Sequence, residues 1–237
     1  MGTEKTSGRV VVITGGFGAL GKVVAAAARE HGFDVAVLGH TAQYRAGLAE
    51  RLGPKAFLVG GVDLADEAAA IAAMESVVTR YGRIDALLNI AGGFRWITLE
   101  DSRSADLDFL FRINVQTAAN AVRAALPALK ESPAGRIVNV GALAAEKATA
   151  GMGPYVASKA GVLRLTEALA EELKDSGVTV NAVMPSIIDT PQNRADLPKA
   201  DFSRWVAPAD LAEVMLFLAS EKTKAVTGAL IAVRGRV

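Results

Sequence analysis

Short apolar runs rich in β-branched residues alternate with longer alanine-rich segments along nearly the whole chain. The first run, residues 10–13, is Val-Val-Val-Ile, and such an uninterrupted apolar run is typical of a parallel strand buried on both faces. Six further runs predict strands near residues 34–38, 55–60, 84–89, 135–140, 178–183 and 230–233. The pattern therefore predicts a sheet of about seven strands.

The segments between these runs have helical character, and we predict six helices interleaved with the strands. Five of them lie near residues 19–31, 65–80, 102–130, 153–176 and 208–219. Parallel strands need crossover connections, which place helices on both faces of the sheet. With no evident linker or repeat, the prediction is a single α/β domain over residues 1–237, a doubly wound parallel sheet covered on both faces.

One long stretch breaks this alternation, at about residues 185–207. It contains Pro185, Pro191 and Pro198 among polar residues, and it follows the carboxyl end of a predicted strand. Open α/β sheets bind their ligands at that end of the strands. We therefore predict an irregular substrate loop at residues 185–207.

Composition narrows the classes of function. Hydrophobic residues make up 51% and charged residues 22% of the 237 residues, as in a globular protein. Lys plus Arg number 26 against 25 Asp plus Glu, so no basic field for nucleic acid arises. There are no cysteines and two histidines, which excludes thiolate chemistry and argues against a metal centre. No apolar run has the length of a membrane helix, about 18 residues. We expect a cytoplasmic protein with a small-molecule substrate.

A glycine cluster lies between the first predicted strand and the first predicted helix. Residues 14–21 read Thr-Gly-Gly-Phe-Gly-Ala-Leu-Gly. Glycines there let the backbone approach a pyrophosphate, and the helix N-terminus supplies N–H donors and a positive dipole. Placement between a strand and a helix is what makes such a cluster informative. The segment predicts a dinucleotide-binding turn.

A tyrosine and a lysine four residues apart follow the fifth predicted strand, on one face of a helix: Tyr155 and Lys159. A phenol has a pKa near 10 and is a poor catalyst at neutral pH, but a nearby ammonium lowers that pKa. Transfer of a hydride to a carbonyl or imine carbon requires a proton donor beside the accepting heteroatom. We predict that Tyr155 is this donor and that Lys159 activates it.

With these two motifs the chain resembles the short-chain dehydrogenase/reductase family over about residues 9–234. The resemblance implies a Rossmann-type fold, an NAD(P) cofactor and a homodimer or homotetramer built on the helices near 102–130 and 153–176. It also implies that Asn114 holds a water in the proton relay and that Lys159 binds the nicotinamide ribose. The predicted cofactor site comprises Gly15, Phe17, Gly18, Ala19, Leu20, Gly21, Gly39, His40, Thr41, Asp63, Leu64, Asn89, Ala91, Gly92, Tyr155, Lys159, Pro185, Ile188 and Thr190.

The residue after the second predicted strand bears on the choice of nucleotide. NAD enzymes usually place an acidic residue there, which holds the ribose 2′-hydroxyl. This chain has Gly39, followed by His40 and Thr41, and Arg45 lies slightly further on. Loss of the carboxylate removes the repulsion against a 2′-phosphate. NADP(H) is therefore favoured over NAD(H).

Most members of the family have a serine 13 residues before the tyrosine, where this chain has Ala142. An alanine cannot donate a hydrogen bond to the substrate oxygen. Three interpretations remain open: the substrate does not need that donor, another side chain such as Thr149 replaces it, or the chain is an inactive or engineered variant.

Within the family, the quinonoid dihydropteridine reductases also lack the serine, and this chain looks like them at several segments: 15–21, 151–155, 189–194 and 197–205. A quinonoid pterin is a conjugated imine that needs less polarisation than a simple ketone. The aromatic residues Phe94, Trp96, Phe202 and Trp205 are candidates, with Ala142, for the substrate wall. Packing beneath the loop is the alternative for these aromatic side chains.

The sequence thus predicts an NAD(P)H-dependent oxidoreductase that transfers a hydride to a conjugated imine or carbonyl, with a quinonoid dihydropterin as one candidate. The first alternative is an ordinary ketone/alcohol dehydrogenase-reductase in which the missing serine is compensated. The second is a protein that binds NAD(P)H without turnover. Asn114, Tyr155 and Lys159 argue against the second, because binding alone requires no proton relay.

Overall fold

Seven parallel strands form one sheet in the computed structural model, which describes residues 8–43 and 47–237. The order across the sheet is β3-β2-β1-β4-β5-β6-β7. The strands are β1 Val10–Thr14, β2 Asp34–Leu38, β3 Phe57–Val59, β4 Ala86–Asn89, β5 Arg136–Val140, β6 Thr179–Pro185 and β7 Leu230–Val233. All seven predicted strands are present, and the predicted doubly wound α/β fold is confirmed.

Helices cover both faces of this sheet. In the described part of the chain they are α1 Ala19–Glu30, α2 Leu48–Leu52, α3 Glu67–Tyr81, α4 Ser104–Phe111, α5 Thr117–Glu131, α6 Gly153–Glu172, α7 Pro191–Asp196 and α8 Pro208–Ala219. The prediction of six helices was too low, because α2 and α7 are too short to show a helical period in the sequence. The single helix predicted near 102–130 is two helices, α4 and α5, joined by a π-helical turn at Arg112–Gln116.

The alternation of side chains along β1 explains its uninterrupted apolar sequence. Val11 and Ile13 lie in the core beneath α1 and α8, whereas Val10 and Val12 lie in the core beneath α3 and α5. All four side chains are fully buried. A strand buried on both faces must be apolar at every position, which is why the sequence shows no period of two there.

The direction of winding reverses at β1, which pairs with both β2 and β4. In open α/β sheets, ligands bind in the crevice at the carboxyl ends of the strands at this reversal. The Thr14 hydroxyl closes the base of the crevice, since it accepts hydrogen bonds from the backbone N–H of Ile90 and of Ala91, both at 3.1 Å. The glycine turn and the segment after β4 are therefore held side by side.

The segment 185–207, predicted as an irregular loop, is partly helical, and this corrects the prediction. It contains α7 and a 3-10 turn at Phe202–Arg204. The Thr190 hydroxyl caps α7 by accepting the N–H of Asn193, and Pro191 suits the first helical position. Arg194 holds the preceding turn by a bidentate pair with Asp189, at 2.5 and 2.7 Å.

None of the helices in residues 8–43 and 47–237 has the length and apolar character needed to cross a membrane.

Candidate active site

The glycine turn packs closely against the first residues after β4, Ile90 and Ala91. Gly15 has φ +63°, a backbone conformation that favours glycine, and a Cβ atom there would lie 2.8 Å from the Cα of Ala91. Gly18 and Ala19 are exposed at the N-terminus of α1. The Ala19 side chain therefore points away from the closely packed part of the turn.

This turn fits a dinucleotide. The first N–H groups of a helix have no partner within the helix, and those of α1 begin at the exposed Gly18–Ala19 junction. Together with the helix dipole they make an anion site for a pyrophosphate. When an NAD(P)H is bound, it supplies the hydride for the reaction.

At the far end of β2, Gly39 is buried beneath the aromatic ring of Phe17. His40 and Thr41 follow on the surface, and the Thr41 hydroxyl donates to the carbonyl of Gln43 at 3.2 Å. Arg45, the other candidate for a 2′-phosphate, lies outside the described residues. The predicted nucleotide-selecting residues that the structure describes thus lie beside the glycine turn.

Asp63, one of the predicted cofactor residues, has two partners. Its carboxylate accepts the N–H of Ala65 at 3.0 Å and a guanidinium N–H of Arg112 at 2.8 Å. Burial raises the pKa of the Asp63 carboxyl, but the two hydrogen bonds and the charges of Arg112 and His40 outweigh it and hold the pKa below its usual value. Arg112 was not among the predicted site residues, and the signal that could have found it is its position two residues before Asn114.

The π-helical turn directs Asn114 into the protein. Its side-chain amide donates to the Gly93 carbonyl at 3.1 Å and to the Ser158 hydroxyl at 3.0 Å, while its carbonyl oxygen accepts the Gly93 N–H at 3.0 Å. Ser158 in turn donates to the backbone carbonyl of Tyr155 at 2.7 Å. This chain of bonds links the segment after β4 to the first turns of α6, and Ser158 is a member that sequence reasoning missed.

A second series of buried hydrogen bonds links Asn89, Asn139 and Thr166. The side-chain amide of Asn89 donates to the side-chain oxygen of Asn139 at 2.9 Å, and the Asn139 amide donates to the Thr166 hydroxyl at 2.9 Å. Both asparagines and the threonine are buried. Asn89, predicted among the cofactor residues, therefore uses its side chain to tie β4 through β5 to α6.

Tyr155 and Lys159 lie on adjacent turns of α6, as predicted. The Lys159 ammonium donates to the Val140 carbonyl at 2.8 Å, and complete burial lowers its pKa to about 8. Burial raises the pKa of the Tyr155 phenol to about 12. The expected lowering of the Tyr155 pKa was therefore wrong for this geometry, because desolvation dominates and the ammonium is directed at a carbonyl of β5.

Ala142 lies at the end of β5 and immediately precedes a 3-10 turn at Leu143–Ala145. The side chain is buried, with 5% exposed. Thr149, the candidate replacement for the missing hydroxyl, is exposed and donates to the sulfur of Met152 at 3.1 Å. The hydroxyl of Thr149 is thus engaged in its own turn.

Two of the four aromatic candidates lie on the side of Tyr155. The rings of Phe94 and Tyr155 meet at a centroid distance of 4.8 Å. Trp96, with 62% exposed, lies against Gly151, close to the start of α6. These two side chains suit the substrate wall.

The other two, Phe202 and Trp205, contact each other with centroids 4.8 Å apart. The guanidinium of Arg194 lies 4.8 Å from the centroid of Phe202. Trp205 is buried, which is the behaviour of an anchor that packs beneath the 185–207 segment.

The strand order, the glycine turn and the Tyr155–Lys159 pair define a nucleotide-dependent oxidoreductase of the Rossmann type. Comparison with known proteins gives the family. The sequence model of the short chain dehydrogenase family matches residues 9–201. The chain belongs to the short-chain dehydrogenase/reductase family, and it is an NAD(P)-dependent oxidoreductase.

Among its relatives is the 3-oxoacyl-(acyl-carrier-protein) reductase FabG of Thermotoga maritima, 30% identical over 246 residues that cover 98% of each chain. The 2-(S)-hydroxypropyl-CoM dehydrogenase 3 of Xanthobacter autotrophicus is 32% identical over 253 residues, again 98% of each chain. A short-chain type dehydrogenase/reductase structure from Mycobacterium ulcerans has a TM-score of 0.90 at 26% identity, covering 98% of this chain and 90% of that one.

Proposed function

We propose that this protein is an NADPH-dependent reductase that transfers a hydride to a planar, conjugated C=N or C=O acceptor, with a quinonoid dihydropterin as the first candidate. The observation that carries the proposal is Ala142. Its buried methyl group stands where most of the family has a hydroxyl, and the exposed Thr149 hydroxyl donates to the Met152 sulfur. A conjugated acceptor needs little polarisation of its heteroatom, so it tolerates the loss of one hydrogen-bond donor.

The aromatic side chains support a flat acceptor. Phe94 is 54% exposed and Trp96 is 62% exposed, on the segment that passes Tyr155. Aromatic faces of this kind stack on planar rings and hold them without hydrogen bonds. A flat heterocycle resting on them would lie on the side of Tyr155.

In the proposed reduction, Tyr155 holds the proton that the acceptor requires. Burial raises the pKa of its phenol to about 12, so the hydroxyl is protonated near neutral pH. As the hydride reaches the acceptor carbon, the O–H bond of Tyr155 breaks and the proton passes to the acceptor heteroatom. The Lys159 ammonium, one helical turn away, would turn from the Val140 carbonyl toward the phenolate as that charge forms.

The cofactor part of the proposal rests on the end of β2. Position 39 has no carboxylate to repel a 2′-phosphate, and His40 is exposed beside it. The predicted cofactor residues, from Gly15 to Thr190, remain the proposed contacts. We also propose that residues 1–237 form one NAD(P)-binding domain and that the protein acts in the cytoplasm. We propose that it assembles as a homodimer or homotetramer, which light scattering would test.

A second candidate is a ketone or secondary-alcohol oxidoreductase, which the relatives favour. The names of the two quoted enzymes, at 30% and 32% identity, describe a 3-oxoacyl substrate and a hydroxypropyl substrate. Both contain a carbonyl or alcohol carbon without extended conjugation. The two candidates differ in how strongly the acceptor oxygen must be polarised.

The test measures oxidation of NADPH and NADH with a quinonoid dihydropterin and, separately, with a 3-oxoacyl thioester, for the native chain and for Ala142→Ser. Restoring the hydroxyl should raise ketone turnover by about 100-fold, the usual effect of one such donor, and leave pterin turnover nearly unchanged. Ala142→Cys is the matched control, since it adds similar volume with a weak donor. Rapid ketone turnover by the native chain would favour the second candidate. Nucleotide binding without any turnover would indicate a binding protein.

A further inference from the structure

The ring of Phe17 covers Gly39 at the end of β2, where a nucleotide-selecting residue belongs. We propose that Phe17 restricts position 39 to glycine and so excludes the acidic side chain that would select NAD(H), because its ring occupies the space that any side chain at position 39 would need. This inference rests on the proposed preference for NADPH and explains how the fold enforces it.

The steric relationship is direct. A Cβ atom built on Gly39 would overlap the Cδ2 atom of Phe17 and lie 2.5 Å from its Cγ and Cε2 atoms. Carbon atoms that are not bonded to each other approach no closer than about 3.5 Å in favourable packing. A carboxylate at position 39, the usual partner of an NAD ribose, therefore cannot enter while the ring stays in place.

The backbone of Gly39 cannot move aside to relieve the overlap. Its N–H donates to the Val59 carbonyl at 2.9 Å, and its carbonyl accepts the Val62 N–H at 3.0 Å. Both bonds tie Gly39 to β3 and the segment that follows it. Gly39 itself is buried.

The turn that carries Phe17 is equally fixed. The N–H of Gly16 donates to the Leu38 carbonyl at 3.0 Å, so the turn is bonded to the end of β2 itself. A Cβ on Gly16 would overlap Cγ1 of Val37, which shows how closely the two segments approach. Phe17 packs against the hydrophobic core beneath α1. A ring held in this way yields space only at the expense of its packing.

Two charged or titratable groups lie near position 39, His40 and Asp63. His40 is exposed next to Gly39, and the nearby carboxylate of Asp63 is already bonded to Arg112 and to the N–H of Ala65. A new carboxylate at position 39 would therefore be the group that decides whether a 2′-phosphate is accepted, and Phe17 is the residue that keeps it out.

The test compares four chains: native, Gly39→Asp, Phe17→Ala and the double variant. Dissociation constants for NADPH and NADH follow from the fluorescence of the reduced nicotinamide, which needs no substrate. We expect Phe17→Ala to keep the native preference, and Gly39→Asp alone to weaken binding of both nucleotides. The double variant should bind NADH at least about 10-fold tighter than Gly39→Asp does, since residues in contact are energetically coupled. It should also bind NADPH more weakly than Phe17→Ala does.

Thermal unfolding of Gly39→Ala with and without Phe17→Ala provides the matched control, since alanine adds the Cβ without a charge. The melting temperature lost in Gly39→Ala should be largely recovered in the pair. The proposal is wrong if Gly39→Asp alone changes the preference toward NADH as far as the double variant does. It is also wrong if adding Phe17→Ala restores neither nucleotide binding in Gly39→Asp nor the melting temperature of Gly39→Ala. A native chain that prefers NADH would instead refute the proposed cofactor, and the coupling between the two positions would still be read from the four chains.

Discussion

The ring of Phe94 meets the ring of Tyr155 edge to face, with centroids 4.8 Å apart and planes at 85°. Such pairs contribute about 0.5–1.5 kcal/mol beyond the area they bury. The proposed proton donor on α6 is thus oriented by a residue of the segment after β4. A hydrogen bond also joins that segment to the residues just before α6, because the Ile97 N–H donates to the Gly151 carbonyl at 2.7 Å.

Replacing Phe94 by leucine should therefore weaken catalysis more than cofactor binding. Leucine keeps an apolar side chain but lacks the ring edge, so Tyr155 loses its orienting contact. We expect kcat/KM to fall by about 10-fold, which corresponds to roughly 1.4 kcal/mol. Phe109→Leu is the matched control, because that ring faces the guanidinium of Arg95. Equal losses in both variants in steady-state kinetics would contradict an orienting role for Phe94.

Replacing Tyr155 by phenylalanine should abolish most turnover. The variant keeps the ring and its contact with Phe94 but removes the proton donor, an effect of about 10²–10⁴-fold in rate for general acid catalysis. The dissociation constant for NADPH should stay nearly the same. Tyr81→Phe is the control: its hydroxyl donates to the carbonyls of Lys55 and Val35, so that variant should lose stability and keep its turnover. Undiminished turnover in Tyr155→Phe would refute the mechanism.

Because of Lys159, the free energy of unfolding of the native chain should rise with pH between about pH 8 and pH 10.5. Its pKa is lowered by burial from 10.5 to about 8, so below pH 8 both the folded and the unfolded chain hold the proton and the full penalty of burying the charge applies. Between about pH 8 and 10.5 the unfolded chain binds a proton that the folded chain has lost, and the penalty disappears.

Lys159→Met removes this group and so isolates its effect. We expect the free energy of unfolding of the variant, relative to that of the native chain, to fall by up to about 3 kcal/mol between pH 7 and pH 10, on top of a pH-independent cost from the lost bond to the Val140 carbonyl. Urea unfolding of both chains at several pH values measures it. A difference that is independent of pH would show that burial does not shift the titration of Lys159.

Asn114→Ala should destabilise the fold, because it leaves the N–H and carbonyl of Gly93 without their side-chain partner. Gly93 is only partly buried, so water replaces some of the lost bonding, and we expect a loss of about 1–2 kcal/mol rather than the penalty of two fully buried groups. Turnover should fall as well, since the bond to Ser158 is lost. Gln116→Ala, in the same π-helical turn, removes a single part-buried bond to the Ala65 carbonyl from an exposed side chain and should lose less. Similar free energies of unfolding for the two variants would argue against a special role for Asn114.

Much of the fold was predictable from local patterns. The apolar runs located all seven strands, and the boundaries Pro208–Ala219 of α8 agree with the predicted helix. The spacing of Tyr155 and Lys159 placed them on one helical face, and the glycines between β1 and α1 located the nucleotide turn. The π-helical turn and the short helices α2 and α7 were not predicted, because elements of about one or two turns carry too few residues to show a period.

The sequence by itself determined the parallel sheet, the family and the identity of the groups at the site, because strand burial, helical spacing and glycine turns leave periodic or short-range marks. Only the tertiary structure decided what those groups contact. Phe17 meets Gly39, Asn114 joins Gly93 to Ser158, and Lys159 reaches Val140. These pairs are distant along the chain and carry no periodic signal, and the desolvation that shifts the titration of Tyr155 and Lys159 arises from packing alone.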